Sequence, residues 1–312
     1  MKIVQQVTAD VAASSRQHLP SNEALRQIVR RKRKANCPHE PSAVQELIIE
    51  GEFITTLDGR EFLRCNRTSA DEARLLIFFT DENLRKLNDA PMWLMDGTFK
   101  TVSPLFEQLY TIHGYLHGHV FPFVYCLMTR RTQMAYEALF EEVLNFAADM
   151  GLALNPKTVS TDFELAAINA IRSLLRASSD VHGCLFHLCQ SVWRRVQHLG
   201  MAVLYKNDVG GFAIKARQLA ALPFLPTEEV RDAYASLKPL FPQEASDMLR
   251  WWEDNYLLGK SRRRVAGGNS AVIIRSPPVF PPSLWNVLAL AQNGFPRGNN
   301  AVEAWHRRWE IL

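Results

Sequence analysis

The chain has 312 residues, of which 47% are hydrophobic and 22% are charged, and its formal net charge is +4 at pH 7. This composition supports a folded core and excludes an intrinsically disordered chain, and no apolar run is long enough for a transmembrane helix. The five cysteines lack regular spacing, which argues against a disulfide framework. Together with an N-terminus that lacks a secretory apolar core, they predict a reducing compartment.

Basic residues are concentrated in two runs. Residues 1–46 are predicted to form a poorly structured basic segment with one short helix near 24–34. The basic run in this segment comprises Arg30, Arg31, Lys32, Arg33 and Lys34. A second cluster, at 260–264, lies in a stretch rich in glycine and serine. Runs of this kind bind phosphates or serve as nuclear import signals, and a solvated surface segment is an equally weighted alternative.

Residues 47–90 are predicted to form an α+β lead-in to the main domain. The pattern within 47–63 indicates a hairpin that turns at Asp58-Gly59. A strand over 70–79 follows. A short helix then begins at Thr80 or Asp81, since either residue can cap it.

The region 91–198 has the clearest order of elements. Short runs of apolar, aromatic and β-branched residues predict five strands, and apolar positions at helical spacing predict two helices. The strands cover 92–95, 106–113, 119–128, 157–160 and 181–185, and the helices cover 133–150 and 163–175. The order β-β-β-α-β-α-β predicts an α/β fold with a mixed sheet flanked by helices, of the RNase H-like type.

The rest of the chain has mainly helical periodicity. Residues 199–282 are predicted to form an all-α insertion that ends in a loop over 259–282. Residues 283–312 are predicted to form two further helices, the second of which covers Asn299–Trp309.

Two aspartates occupy informative positions in this pattern. Asp96 directly follows the predicted strand 92–95, and Asp162 comes soon after the strand 157–160. Ligand sites in open α/β sheets gather beyond the carboxyl ends of strands. Two such carboxylates, joined by a glutamate from a helix, can hold one or two Mg²⁺ ions for phosphoryl transfer on DNA. An aspartate at a strand end is more often a turn former or a helix cap, so the residues alone leave both interpretations open.

Four sequence blocks, in the right order, resemble the DDE transposase domain of Mutator-like elements (MULEs). They are WLMDGTFKTVSPLFEQLYTIHGYLHGHVFPFVYCLM at 93–128, STDFELAAINAI at 160–171, GCLFH at 183–187 and NNAVEAWHRRW at 299–309. The resemblance extends roughly from residue 47 to the end of the chain. Four blocks in order make it far more specific than any one block.

The resemblance implies an activity and a catalytic set. Asp96, Asp162 and Glu303 match the three catalytic carboxylates, which in the family also bind Mg²⁺ or Mn²⁺. The implied reaction is metal-dependent DNA strand cleavage followed by strand transfer. Because Glu303 lies on the last predicted helix, residues 283–312 are expected to complete the catalytic core after the insertion.

Cys184 and His187 match the Cys-x-x-His motif that follows the second carboxylate in this family. The resemblance implies a structural or DNA-contacting pair close to the metal centre. A zinc site is the less favoured alternative, since only Cys189 and His182 lie nearby and their spacing fits no recognised finger.

The implied partners are DNA, as element ends and as target, and further copies of the chain. No membrane partner is expected, and the implied compartment is the nucleus. Lys100 and the basic run Arg30–Lys34 are the candidate DNA contacts. No Cys/His set with finger spacing precedes Asp96, so a truncated copy of a family member is expected. Three functions remain open: an active transposase, a domesticated non-catalytic DNA-binding or regulatory protein, and a remnant without function.

Overall fold

A computed structural model of the chain describes residues 20–36, 41–99, 102–175, 179–265 and 271–309. Seven strands form its central sheet: β1 (Leu63–Thr68), β2 (Arg74–Phe78), β3 (Met92–Thr98), β4 (Gln108–Leu116), β5 (His119–Met128), β6 (Thr158–Thr161) and β7 (Asp180–Gly183). They lie in the order β1-β2-β5-β4-β3-β6-β7. The first five strands pair antiparallel, whereas β6 is parallel to β3 and to β7. This arrangement confirms a mixed α/β fold.

Helices flank the sheet and are the main regular elements in the second half of the chain. Those in the described residues are α1 (Asn22–Asn36), α2 (Asp81–Asp89), α3 (Gln133–Asp149), α4 (Leu165–Leu174), α5 (Leu185–His198), α6 (Ala202–Lys206), α7 (Phe212–Leu219), α8 (Val230–Leu237), α9 (Ser246–Trp252), α10 (Pro282–Trp285), α11 (Leu288–Gln292) and α12 (Asn300–Trp309). Among these helices, none combines the length and apolar character that a membrane crossing needs.

The predicted hairpin over 47–63 is much smaller in the structure. Its turn lies at Asp58-Gly59 as expected, but the ladder is reduced to one bridge between Thr55 and Glu61. The preceding residues form a 3₁₀ turn that begins at Gly51, which has a left-handed φ of 62°. Because this turn interrupts the extended backbone, the first strand of the sheet starts only at β1.

The two faces of β3 pack against different layers. Trp93 and Met95 belong to the core that lies under α3 and α4. Met92 and Leu94 belong to a second cluster that includes residues of α11 and α12. Side chains alternate between the faces of a strand. Asp96 therefore lies on the face that α12 covers.

The aspartates occupy different positions relative to their strands. The prediction that the first strand ends at residue 95 is wrong, because β4 pairs with β3 as far as Thr98. Asp96 is consequently inside β3, directly opposite Thr111. Asp162 does follow its strand, since β6 ends at Thr161.

A second apolar core lies within the helical half of the chain. It includes residues of α5, α7, α8, α9 and α10. At its centre the ring of Trp252 stacks on Tyr256, with 4.9 Å between centroids. Trp285 of α10 donates a hydrogen bond from its indole nitrogen to the carbonyl of Tyr256 at 3.0 Å.

Two predictions for the second half of the chain need correction. The insertion is not all-α, because the predicted loop over 259–282 contains an antiparallel hairpin of β8 (Ser261–Val265) and β9 (Ala271–Arg275). The β-branched run Val272–Ile274 favours a strand, but the glycines nearby favour a loop, and the loop was predicted. The first of the two C-terminal helices is also divided into α10 and α11, since Asn286 has an extended backbone between them.

Candidate active site

The carboxylate of Asp96 is buried on the face of β3 that α12 covers. The residue is 2% exposed. Its Oδ1 lies 3.8 Å from Nε2 of His187, and its Oδ2 lies 3.3 Å from Nδ1 of His306. The second distance is short enough for an ion pair, but the atoms are not aligned as a hydrogen bond, and no other donor reaches Oδ2. A buried carboxylate oxygen without a donor is an unfavourable group unless a cation approaches it.

Asp162 lies in the short connection from β6 to α4. Its Oδ1 accepts a hydrogen bond from the backbone N–H of Glu164 at 3.2 Å, so the carboxylate helps to start the helix. Burial, and after it the nearby charge of Asp96, raise the pKa of Asp162 above its ordinary value. Burial and the charge of Asp162 likewise raise the pKa of Glu164. Several like charges therefore share this region, which favours a bound cation.

Glu303 and His187 approach Asp96 from two different helices. Glu303 is in the first turn of α12, and its Oε1 lies 3.5 Å from Nε2 of His187, which is in the first turn of α5. Burial by itself lowers the pKa of His187, but contacts with Cys184, Glu303 and Asp96 outweigh it and raise this pKa to about 10. One donor atom each from Asp96, His187 and Glu303 lies within 4.8 Å of the others.

A second buried histidine lies on the opposite side of Asp96. Nε2 of His306 is 3.2 Å from the hydroxyl of Thr111, and this hydroxyl donates to the backbone carbonyl of Asp96 at 3.2 Å. The same hydroxyl is 3.0 Å from Nε2 of His113. Burial, and then the charge of His306, lower the pKa of His113 to about 3, so this ring is neutral at physiological pH. These contacts attach α12 to the strands that carry the aspartate.

The carboxylates line one cavity of about 610 Å³. Asp96, Asp162 and Glu303 all reach it. Arginine side chains line it as well, from the start of α3, from α5 and from α12; they are Arg131, Arg194 and Arg307. A cavity that holds carboxylates beside guanidinium groups can accommodate divalent cations together with the phosphates of a DNA strand.

The structure does not bring together the ligands of the alternative zinc site. Cys184 is buried, and its Sγ accepts the backbone N–H of Asn299 at 3.1 Å. Nδ1 of His182 faces the carbonyl of Asn286 at 3.0 Å, and Cys189 is exposed. Within the described ranges, the group of potential metal ligands contains His187 but neither of these cysteines.

The predicted DNA contacts lie elsewhere or outside the described residues. Arg30, Arg31 and Lys32 are exposed on α1 and do not line the cavity. Arg33 and Lys34 belong to the same helix, but their side chains lie outside the described part of the structure. Lys100 also lies outside it.

Some residues of the site were missed in the sequence. His306 and Arg131 line the cavity but carry no spacing signal, since a lone histidine or arginine near a helix end is common. Glu164 also lines the cavity. The one available signal was its position two residues after Asp162.

The family of this region follows from a comparison with family models. Residues 92–191 match the model of the MULE transposase domain. This part of the chain is similar to a MULE transposase domain. No curated protein sequence matches the chain. The matched residues of the MULE domain include Asp96, Asp162 and the pair Cys184 and His187, whereas Glu303 lies beyond them. The approach of Glu303 to the same cavity is therefore an observation independent of the family match.

The donor atoms around this cavity fit a divalent cation. Mg²⁺ and Mn²⁺ prefer carboxylate oxygens, and Mn²⁺ also accepts an imidazole nitrogen. Asp96 has a buried oxygen that lacks a hydrogen-bond donor, and Glu303 provides a further oxygen within 4.8 Å. Nε2 of His187 lies in the same group and can bind a metal once the ring has lost its proton. Asp162 lines the same cavity and can complete the set.

Proposed function

We propose that the MULE-like region and α12 together form the catalytic centre of a DDE-type transposase that cuts and joins DNA strands with Mg²⁺ or Mn²⁺. The observation that carries this proposal is the convergence of Asp96, Asp162 and Glu303 on one cavity. Two of these residues come from the family match, and the third comes from a helix far away in the sequence. Carboxylates beside arginines are the groups that phosphoryl transfer on DNA requires.

The proposal includes an RNase H-like fold for the sheet. The strands β3, β4 and β5 pair antiparallel. On the other side of β3 the sheet continues with β6 and β7, which run parallel to β3. This is the arrangement that the order of elements predicts. It supports the assignment because Asp96, Asp162 and the end of β7 lie near the carboxyl ends of three parallel strands.

The chain's own residues have distinct tasks in the proposed reaction. Asp96, Asp162 and Glu303 supply oxygen donors, and cations bound there would activate water or a hydroxyl and stabilise the leaving oxygen. Arg131 and Arg194 are placed to contact the phosphates of the strand that is cut. In the first reaction, water breaks a phosphodiester bond at an element end and leaves a 3′-hydroxyl. In the second, this hydroxyl attacks a target phosphodiester, so one P–O bond forms as another breaks.

We also infer that the protein acts in the nucleus on element ends and target DNA, as a homo-oligomer. The exposed basic residues of α1 support DNA binding and nuclear import. They equally suit the alternative function, a domesticated DNA-binding or regulatory protein without catalysis. The acidic cavity favours the enzyme, because a protein that only binds DNA gains nothing from carboxylates that repel phosphates.

Nicking of supercoiled plasmid DNA by the full chain in Mn²⁺ tests the proposed function. We expect the wild-type chain to nick the plasmid and EDTA to abolish the reaction. Asp96→Asn should reduce nicking by at least about 10³-fold, since it removes charge where the transition state needs a cation. Asp89→Asn, at an exposed position at the end of α2, is the matched control and should leave nicking unchanged.

Binding of a fluorescent DNA duplex, measured by anisotropy, accompanies the nicking assay. Asp96→Asn should retain the wild-type affinity, because phosphate contacts do not involve this carboxylate. Nicking that persists in Asp96→Asn or in EDTA would contradict the assignment. Tight DNA binding without nicking by the wild-type chain would instead support the domesticated protein.

A further inference from the structure

Asn299 is a fully buried asparagine at the junction of the elements that carry the site. It is 0% exposed and immediately precedes α12. Its backbone carbonyl accepts the N–H of Glu303 at 2.8 Å, which forms the first turn of that helix.

The side-chain amide of Asn299 connects the helix to two strands. Its Nδ2 donates to the backbone carbonyl of Met95, the residue before Asp96, at 3.0 Å. Its Oδ1 accepts a hydrogen bond from the hydroxyl of Ser160, in the strand that leads to Asp162, at 3.4 Å. The two ends of one amide group are therefore used by the segments that carry the two aspartates.

The backbone N–H of Asn299 connects the same point to α5. It donates to Sγ of Cys184 at 3.1 Å. Cys184 is the residue before α5, and His187 lies in the first turn of that helix. This contact gives the cysteine a structural task, since its buried thiol holds the segment that contains Glu303 beside the segment that contains His187.

These contacts differ from those of an ordinary helix cap. A capping asparagine accepts a backbone N–H of the first turn with its side-chain oxygen. In Asn299 the oxygen accepts the hydroxyl of Ser160 instead, and the amide nitrogen points to β3. The side-chain polar atoms of Asn299 therefore bind other elements and not its own helix.

We propose that Asn299 is a positioning residue that fixes the relative placement of Asp96, Asp162, His187 and Glu303. The inference rests on the proposed function, because it assumes that these side chains form one cation-binding centre. Groups that orient metal ligands typically contribute 10- to 100-fold to metal affinity or activity, and small misplacements of reacting groups are costly.

Binding of Mn²⁺ to the full chain, followed by electron paramagnetic resonance, tests this role without DNA. We expect Asn299→Ala to weaken Mn²⁺ binding by about 10- to 100-fold. Asn300→Ala is the matched control, because this neighbouring asparagine is exposed, and it should bind Mn²⁺ like the wild type. Cys184→Ala removes the acceptor from the other side of the contact and should weaken binding in the same direction. It also provides a readout if Asn299→Ala does not fold.

A second readout separates positioning from general damage to the fold. In the plasmid assay, Asn299→Ala should lower kcat and leave the DNA affinity of the chain unchanged, and higher Mn²⁺ concentrations should restore part of the activity. Mn²⁺ affinities of Asn299→Ala and Cys184→Ala equal to that of the wild type would overturn the role of Asn299. If the wild-type chain bound no Mn²⁺, or bound it as well after Asp96→Asn, the proposed function itself would fail.

Discussion

At the residue scale, the two histidines beside Asp96 differ in how easily the sequence reveals them. His187 belongs to a recognisable Cys-x-x-His motif, whereas His306 lies in the last turn of its helix and carries no signal of its own. The structure gives both a place beside the carboxylate, at 3.8 and 3.3 Å. Local patterns could identify Asp96 and Asp162, but they could not identify His306, because its partners Thr111 and Asp96 lie far away in the sequence.

Substitution of His306 should separate its two contacts. In asparagine the amide can take the place of Nδ1, which faces Asp96, and in glutamine it can take the place of Nε2, which faces Thr111. We expect His306→Ala to reduce plasmid nicking by about 10- to 100-fold, because the orientation of Asp96 is lost. His306→Asn should retain more activity than His306→Gln.

Chemical denaturation of the same variants provides the control for His306. Loss of a buried polar partner costs about 1–3 kcal/mol, so His306→Ala should be destabilised while it remains folded. Equal nicking by the asparagine and glutamine variants would show that the contact with Asp96 does not matter.

At the element scale, one carboxylate connects the β1–β2 turn to the start of α3. Asp71 accepts hydrogen bonds from the hydroxyls of Ser69 and Thr132, and Thr132 is the N-cap of α3. Burial opposes the ionisation of Asp71, but the hydrogen bonds from these two hydroxyls outweigh it and hold its pKa below 3.8. The turn and the helix are therefore connected by hydrogen bonds to a charged carboxylate, and these bonds form only in the folded state.

Replacement of Asp71 by asparagine should destabilise the domain only at pH values at which the Asp71 carboxylate is ionised. A pKa that folding lowers contributes stability above its unfolded value, and this contribution disappears as the pH falls through the folded value. Asp71→Asn should thus cost about 1 kcal/mol near neutral pH, the low end for a charged hydrogen bond, because the group is partly exposed. The ion pair between Arg130 and Glu72 beside the turn is retained in this variant, so the difference reports on Asp71 itself.

Urea unfolding of the wild type and of Asp71→Asn at several pH values measures this difference. The two free energies of unfolding should converge below pH 3.8, which is the ordinary value for this carboxyl. A constant difference at every pH would contradict the role of the charge and point to a purely steric effect.

At the scale of the whole molecule, the sequence was informative where structure is local. Strands and helices of 91–198 were predictable because alternation and helical spacing are properties of short windows. The hairpin of β8 and β9 was not, since glycines and arginines masked its β-branched residues. The position of Glu303 could be expected only from a family resemblance. No local pattern brings α12 back to β3 after the long helical region, and buried contacts such as those of Asn299 determine that placement.

The distance in sequence between the carboxylates leads to a prediction about stability. Asp96, Asp162 and Glu303 come from β3, from the connection after β6 and from α12, so a cation held by them connects three parts of the chain. Such a site exists only in the folded protein, and a ligand at about 100 times its Kd stabilises the folded state by about 2.7 kcal/mol. We therefore expect Mn²⁺ to raise the thermal unfolding midpoint of the wild-type chain and EDTA to reverse the increase.

Two glutamate variants make this measurement specific for the site. Glu303→Gln removes one charge from the cavity and should lose most of the increase in Tm, because a neutral amide is a much weaker ligand for a divalent cation. Glu141→Gln makes the same chemical change at an exposed position of α3, and it should show the full increase. An equal response of both variants to Mn²⁺ would mean that the ion binds elsewhere on the surface. A response confined to chains that retain Glu303 would connect α12 to the metal centre in solution, independently of any DNA substrate.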